Sequence, residues 1–124
     1  MRAGQVDETG DAAVSSPLPD GRLVHVPRRG DVFVRELPGP PNAPVVVLLH
    51  GWTTTADVNW HTSYQALGDH FRVIAFDHRG HGRGLRAEAG FRLEECADDV
   101  AAVATALGVD RFIPVGYSMG GPIE

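Results

Sequence analysis

The sequence has little of what several protein classes require. Its single cysteine, Cys96, excludes an internal disulfide and a cysteine-based metal site. The longest apolar run, Val45–Leu49, is far shorter than the ~20 residues that span a bilayer. The first twenty residues have one arginine and no continuous apolar segment, which is not typical of a secretory signal peptide. We therefore expect a cytoplasmic protein without a membrane span.

Basic residues are also scarce. Eleven arginines and lysines face 16 acidic residues, for a formal net charge of -5. Nucleic-acid binders concentrate positive charge on one face, so we expect no nucleic-acid partner. A length of 124 residues with 43% hydrophobic content predicts one globular unit or part of one.

The amino-terminal segment differs in composition from the rest of the chain. Residues 1–21 combine glycine, serine, proline and acidic residues, and so have too few apolar side chains to offset the entropy of ordering. We expect a flexible leader over 1–21 and the folded unit over 22–124. No internal repeat is present.

Alternating strand and helix signals predict the fold class. Apolar runs between glycine and proline clusters indicate strands, and apolar residues three and four apart indicate helices. The predicted elements are an opening hairpin with strands around Leu23 and over 31–37, strands at Val45–Leu49, 71–76 and 111–117, and helices at 59–71 and 93–107. This order is typical of a parallel sheet covered by helices, hence an α/β fold.

The strongest chemical signal is Gly116-Tyr117-Ser118-Met119-Gly120 at the end of a predicted strand. The G-x-S-x-G spacing places a nucleophilic serine on a tight strand-to-helix turn, where a Cβ two positions away on either side would clash. The plain alternative is a chance match in a chain with 15 glycines, which would make Ser118 an ordinary turn serine.

A second motif, His50-Gly51-Trp52, follows the strand Val45–Leu49 directly. A turn here can direct a backbone N–H at a developing oxyanion, and the residue after the nucleophile supplies another. Those donors would be Trp52 and Met119. The alternative makes Trp52 a packing residue and Gly51 a turn residue. For His50 a structural role is favoured over a catalytic one.

A third motif is Asp77-His78-Arg79-Gly80-His81-Gly82, after the strand at 71–76. Asp77 and Arg79 could pair and brace neighbouring loops. Two histidines three apart on a glycine-rich loop, with Asp77, make a poor metal site without further ligands. We therefore interpret this segment as scaffold and expect no metal.

The three motifs in this order resemble the α/β-hydrolase superfamily, in its serine esterase, lipase and cofactor-free peroxidase branch. The resemblance covers residues 22–124. It implies the opening strands, the third to fifth strands and the first two main helices of that fold, truncated after the nucleophile turn. It also implies a small-molecule substrate and no cofactor. An aspartate at position 118 would be required for its dehalogenase and epoxide-hydrolase branches.

The same resemblance places the triad acid and histidine after the nucleophile. Six residues follow Ser118, and none is aspartate or histidine, while all six histidines precede it. We therefore expect this chain to be a fragment, inactive alone, whose fifth strand leaves an aggregation-prone edge. The favoured function is ester or related acyl hydrolysis through an acyl-serine in the intact protein. The alternatives are a non-catalytic ligand-binding protein of the same fold and a truncated product, either vestigial or an interaction module. The substrate and the oligomeric state stay open.

Overall fold

The computed structural model describes residues 18–86 and 92–123. Most of the predicted leader lies outside these ranges. The strands are β1 (Gly21–Val26), β2 (Gly30–Leu37), β3 (Val45–Leu49), β4 (Arg72–Phe76) and β5 (Ile113–Gly116). The helices are α1 (Ala56–Trp60), α2 (Tyr64–Gly68), α3 (Leu93–Ala106) and α4 (Gly120–Ile123).

The five strands form one mixed sheet in the order β1-β2-β4-β3-β5. β1 and β2 form the predicted antiparallel hairpin, and β2 continues antiparallel onto β4. β3 lies between β4 and β5 and is parallel to both. The carboxyl ends of these three strands therefore meet at one edge of the sheet, where the three sequence motifs begin.

Both faces of the sheet are covered, which explains why the central strands are continuously apolar. On β3, Val47 and Leu49 face α3, whereas Val46 and Leu48 face α1 and α2. β4 alternates in the same way. The α3 side carries the larger core, which includes Cys96, Val100 and Val103. The α/β class is thus confirmed.

The predicted helix at 59–71 is wrong in its extent. The chain instead forms α1, which begins three residues earlier, and α2, with a turn over 61–63 between them. The Thr55 hydroxyl caps α1 by accepting from the Val58 N–H, and the Ser63 N–H bonds back to Trp60. The helical spacing of Trp60, Tyr64 and Leu67 survives because these side chains all pack on the same face of the sheet.

The other predicted boundaries agree within two residues. The α3 prediction extends one residue too far, and the β5 prediction is too long by two residues at its start and one at its end. In the described part of the chain, no helix has both the length and the apolarity to cross a membrane.

Candidate active site

Ser118 lies on a sharp turn between β5 and α4. Its φ is 54°, a left-handed conformation that is unfavourable for a residue with a side chain. A Cβ on Gly116 would lie 2.3 Å from the backbone of Gly120, and one on Gly120 would lie 2.3 Å from the carbonyl oxygen of Leu49. The turn therefore requires both glycines of the motif, and it leaves Ser118 exposed.

The loop after β3 packs directly against this turn. A Cβ built on Gly51 would be 3.3 Å from the Ser118 Cβ, closer than a normal contact. The Tyr117 N–H also donates to the Leu49 carbonyl at 3.0 Å. The structure thus brings the His50-Gly51-Trp52 segment beside Ser118. Trp52 is 56% exposed.

The amides after Ser118 differ in their hydrogen bonding. Gly120 N–H donates to the Tyr117 carbonyl at 2.9 Å, and Gly121 N–H donates to the Ser118 carbonyl at 3.0 Å. Within residues 18–86 and 92–123, the Met119 N–H donates to no backbone carbonyl.

His50 is fully buried and links the loop after β3 to the loop after β4. Its Nδ1–H donates to the Gly51 carbonyl at 2.6 Å, and its Nε2 accepts from the His78 N–H at 2.8 Å. This pattern fixes the neutral tautomer with its proton on Nδ1. Burial is the main cause that lowers the pKa of His50. Both ring nitrogens of His50 are therefore occupied by backbone groups.

A polar partner that the sequence did not suggest is Asn59. Its side-chain oxygen accepts the Gly51 N–H at 2.8 Å. No motif marks Asn59, because it lies eight residues further along the chain on α1. Asn59 could be identified only from the way α1 packs against β3.

Three histidine rings and Trp52 form a contiguous cluster. The His50 ring lies 4.3 Å from His78 and 5.1 Å from His81, and His81 meets Trp52 edge-on at 5.6 Å. His78 is 1% exposed, and neither of its ring nitrogens has a hydrogen-bond partner in the described part of the chain. Burial, followed by the neighbouring His50 and His81, lowers the pKa of His78 to about 4.

Asp77 braces two loops, although its partner is not the predicted one. Its carboxylate accepts the backbone N–H of Ala56 at 2.8 Å and that of Arg83 at 2.9 Å. Arg79 instead makes a bidentate pair with the buried Asp99 on α3, both contacts at 2.7 Å. This pair raises the pKa of Arg79. The predicted Asp77–Arg79 pair is therefore wrong. Asp77 binds backbone amides of α1 and of its own loop, whereas Arg79 binds a carboxylate on α3.

An open groove runs beside the Trp52 loop. Its lining includes no carboxylate or guanidinium side chain and consists of Thr53, Thr54, Thr55, Val58, Gly80, His81 and Gly82. Across the described ranges, no group of three or more histidine, cysteine or carboxylate side chains is placed to hold a metal ion.

The chain is similar to proteins of one known family. The model of the alpha/beta hydrolase fold family matches residues 44–123, which include all three motifs. The chain is 42% identical to a bifunctional esterase/perhydrolase of Acinetobacter calcoaceticus, over 73% of this chain and 33% of that protein. It is 34% identical to epoxide hydrolase B of Mycobacterium tuberculosis, over 73% of this chain and 26% of that protein.

Solved structures agree with this match. The enol-lactonase of Burkholderia xenovorans LB400 superposes with a TM-score of 0.74 at 30% identity, over 82% of this chain and 39% of that one. The chain spans about a quarter to a third of the length of the two curated relatives.

Proposed function

The chain belongs to the α/β-hydrolase fold family, and on this premise we propose that the intact protein is a serine hydrolase. It cleaves an ester or a related acyl substrate through an acyl-Ser118 intermediate. The observation that carries the proposal is the strained, exposed position of Ser118 on a turn that tolerates only glycine at 116 and 120. Backbone strain at an exposed polar residue is typical of functional sites.

In the proposed reaction, the Ser118 oxygen attacks the substrate carbonyl carbon and forms a C–O bond. The carbonyl electron pair moves onto oxygen, where the N–H groups of Trp52 and Met119 stabilise the negative charge. Collapse of this intermediate breaks the bond to the leaving group, which departs with a proton as an alcohol. Water then attacks the acyl-serine, releases the acid and restores the hydroxyl.

Serine is a weak nucleophile at neutral pH and needs a base to take its proton. The family resemblance places that histidine, and the acid that orients it, after Ser118 in the chain. His50 does not serve as this base, because both of its ring nitrogens are engaged with backbone groups.

The hydrogen bonding of the Gly51–Trp52 peptide unit supports the assignment of the Trp52 N–H as an oxyanion donor. The Gly51 carbonyl and the Trp52 N–H belong to the same planar peptide unit. The hydrogen bond from His50 to that carbonyl therefore orients the N–H as well. This unit starts at the Gly51 Cα, and a Cβ on Gly51 would lie 3.3 Å from the Ser118 Cβ.

The residue at position 118 favours acyl chemistry over epoxide opening. By the resemblance, the epoxide-hydrolase branch would require aspartate there. Serine in its place supports ester, lactone or thioester substrates, despite the similarity to an epoxide hydrolase. The groove beside Trp52 has no carboxylate or guanidinium among its lining residues, which suits an uncharged substrate group.

Burst kinetics would test the proposal. The intact protein should hydrolyse p-nitrophenyl acetate with a burst of about one p-nitrophenol per active site, as acyl-enzyme accumulates. Ser118→Ala should abolish the burst, whereas Ser63→Ala, a serine remote in sequence from the motifs, should keep it. Binding of the ester without turnover by a folded protein would instead favour a non-catalytic ligand-binding role.

A further inference from the structure

Gly51 is closely packed against the Ser118 turn, and its lack of a side chain leaves its backbone rotations unrestricted. A larger residue would press its Cβ to 3.3 Å from both the Ser118 Cβ and the Tyr117 ring, and 3.4 Å from the Tyr117 carbonyl oxygen. Glycine avoids this contact but has the widest conformational freedom of any residue. The rotations about the Gly51 Cα must therefore be fixed by other groups if the following peptide is to keep its direction.

Two side chains fix them, one on each side of the Gly51 Cα. The Gly51 N–H belongs to the preceding peptide unit, and it donates to the Asn59 side-chain oxygen at 2.8 Å. The Gly51 carbonyl belongs to the following unit, and it accepts from His50 Nδ1 at 2.6 Å. Each planar unit is thus held by one hydrogen bond, so both backbone rotations at Gly51 are restrained.

Asn59 is itself held firmly, because α1 is fastened to three neighbouring elements. The Ala56 N–H at its start donates to the buried Asp77 after β4. Asp57 accepts from Arg35 on β2 at 2.9 and 3.0 Å, and from the hydroxyl of Tyr64 on α2 at 2.9 Å. Asn59 lies on the last turn of this anchored helix, partly buried.

We propose that Asn59 is a positioning residue for the oxyanion site: its side-chain oxygen fixes the peptide before Gly51 and thereby keeps the Trp52 N–H directed at the carbonyl attacked by Ser118. The inference rests on the proposed function, since it concerns the same site. Asn59 acts through the backbone and does not itself touch substrate.

The test compares two variants at this position with a matched control in the intact protein. Asn59→Leu keeps the approximate shape but removes the acceptor. Asn59→Asp keeps an oxygen acceptor. His61→Ala changes an exposed residue directly after the same helix. The measurements are kcat and KM for p-nitrophenyl acetate, hydrogen exchange of the Gly51 amide by ¹⁵N NMR, and thermal unfolding.

Asn59→Leu should lower kcat by about 10- to 100-fold, which is less than the loss of a whole oxyanion donor. KM should stay within about twofold, because the bound substrate does not yet carry the negative charge that the N–H stabilises in the transition state. Exchange of the Gly51 amide should accelerate by at least about 10-fold, since its acceptor is lost. Asn59→Asp should retain slow exchange and a kcat between the wild-type and Asn59→Leu values. His61→Ala should match the wild type throughout.

The inference is overturned if Asn59→Leu stays folded and keeps kcat within about twofold of the wild type, even when its melting temperature falls. Unchanged Gly51 exchange would also overturn it. If the wild-type protein shows no Ser118-dependent turnover, the proposed function fails by itself. Accelerated exchange in Asn59→Leu would then show that Asn59 stabilises the loop only, which contradicts its assignment as a positioning residue for the oxyanion site.

Discussion

The backbone N–H of His78 donates to Nε2 of His50 at 2.8 Å, and this bond ties the loop after β4 to the loop after β3. The other nitrogen of the same ring holds the Gly51 carbonyl. The buried, neutral side chain of His50 thus joins the glycine-rich loop that follows β4 to the Gly51 segment beside Ser118.

Replacement of His50 should therefore be costly. His50→Leu leaves the His78 N–H and the Gly51 carbonyl without their partner, and an unsatisfied buried polar group costs about 1–3 kcal/mol. We expect the free energy of unfolding to fall by about 2–4 kcal/mol, measured by urea denaturation of the intact protein. The exposed His61 is the control, and His61→Ala should change the free energy of unfolding by less than about 0.5 kcal/mol. Equal values for the two variants would contradict the linking role of His50.

His78 should make stability depend on pH. Its pKa falls from 6.5 in the unfolded chain to about 4 in the folded protein, mainly because of burial. Between these values the unfolded state binds more protons, so stability is complete above about pH 6.5 and is lost as pH falls through 4. The loss amounts to about 3 kcal/mol.

Urea denaturation from pH 7.5 to 4 measures this effect, and His78→Leu is the comparison because it removes the titrating group. The difference in unfolding free energy between the two proteins should shift by about 3 kcal/mol across that range. Parallel pH profiles for the two proteins would refute the assignment to His78.

The Asp99 carboxylate should contribute strongly to stability, because it binds Arg79 in the loop after β4. It is 1% exposed and accepts hydrogen bonds from Arg29 and from two of the three guanidinium nitrogens of Arg79. Asp99→Leu would remove the partner of Arg29 and both 2.7 Å contacts of Arg79, and Arg79 would keep its longer contact to Glu95 at 3.4 Å. We therefore expect a loss of about 3 kcal/mol, at the low end for breaking a buried ion pair. The exposed Arg92–Glu94 contact at 3.7 Å is the matched control, where Glu94→Gln should cost under about 1 kcal/mol. Chemical denaturation of both variants measures the two losses of unfolding free energy. Similar losses would contradict the larger contribution assigned to Asp99.

The two adjacent glycines after Ser118 should respond differently to substitution. A Cβ on Gly120 would lie 2.3 Å from the Leu49 carbonyl oxygen, whereas a Cβ on Gly121 meets nothing within 4 Å. Gly120→Ala should therefore destabilise the protein by about 3 kcal/mol or more, in the upper range of point-mutation effects. Gly121→Ala should be neutral or slightly stabilising, since alanine restricts the unfolded chain. Melting temperatures give the comparison, and two equal losses would show that the turn is not as tight as described.

Much of the fold could be predicted because β3 and β4 are apolar on both faces. Val45–Leu49 has no polar position, and this pattern is typical of a covered parallel strand. Helix boundaries were harder, because Trp60, Tyr64 and Leu67 keep helical spacing across the break at 61–63. The spacing reports which face is buried but does not report whether the backbone is continuous.

The site was predictable only where local chain geometry sets it. Gly116, Ser118 and Gly120 are close in sequence, so steric reasoning alone indicates the turn. Partners from distant segments were not predictable, as with Arg79, which pairs with Asp99 instead of the nearby Asp77. Asn59 was missed for the same reason: its bond to Gly51 depends on how α1 docks against β3.

The central claim is that Ser118 is the nucleophile, and fluorophosphonate labelling with peptide mass spectrometry tests it most directly. Our account predicts one adduct in the intact protein, on the peptide containing Ser118, and none in a folded Ser118→Ala variant. Ser63→Ala should label like the wild type. Absence of the adduct from a folded wild-type protein, or an adduct that persists in Ser118→Ala, would contradict the account.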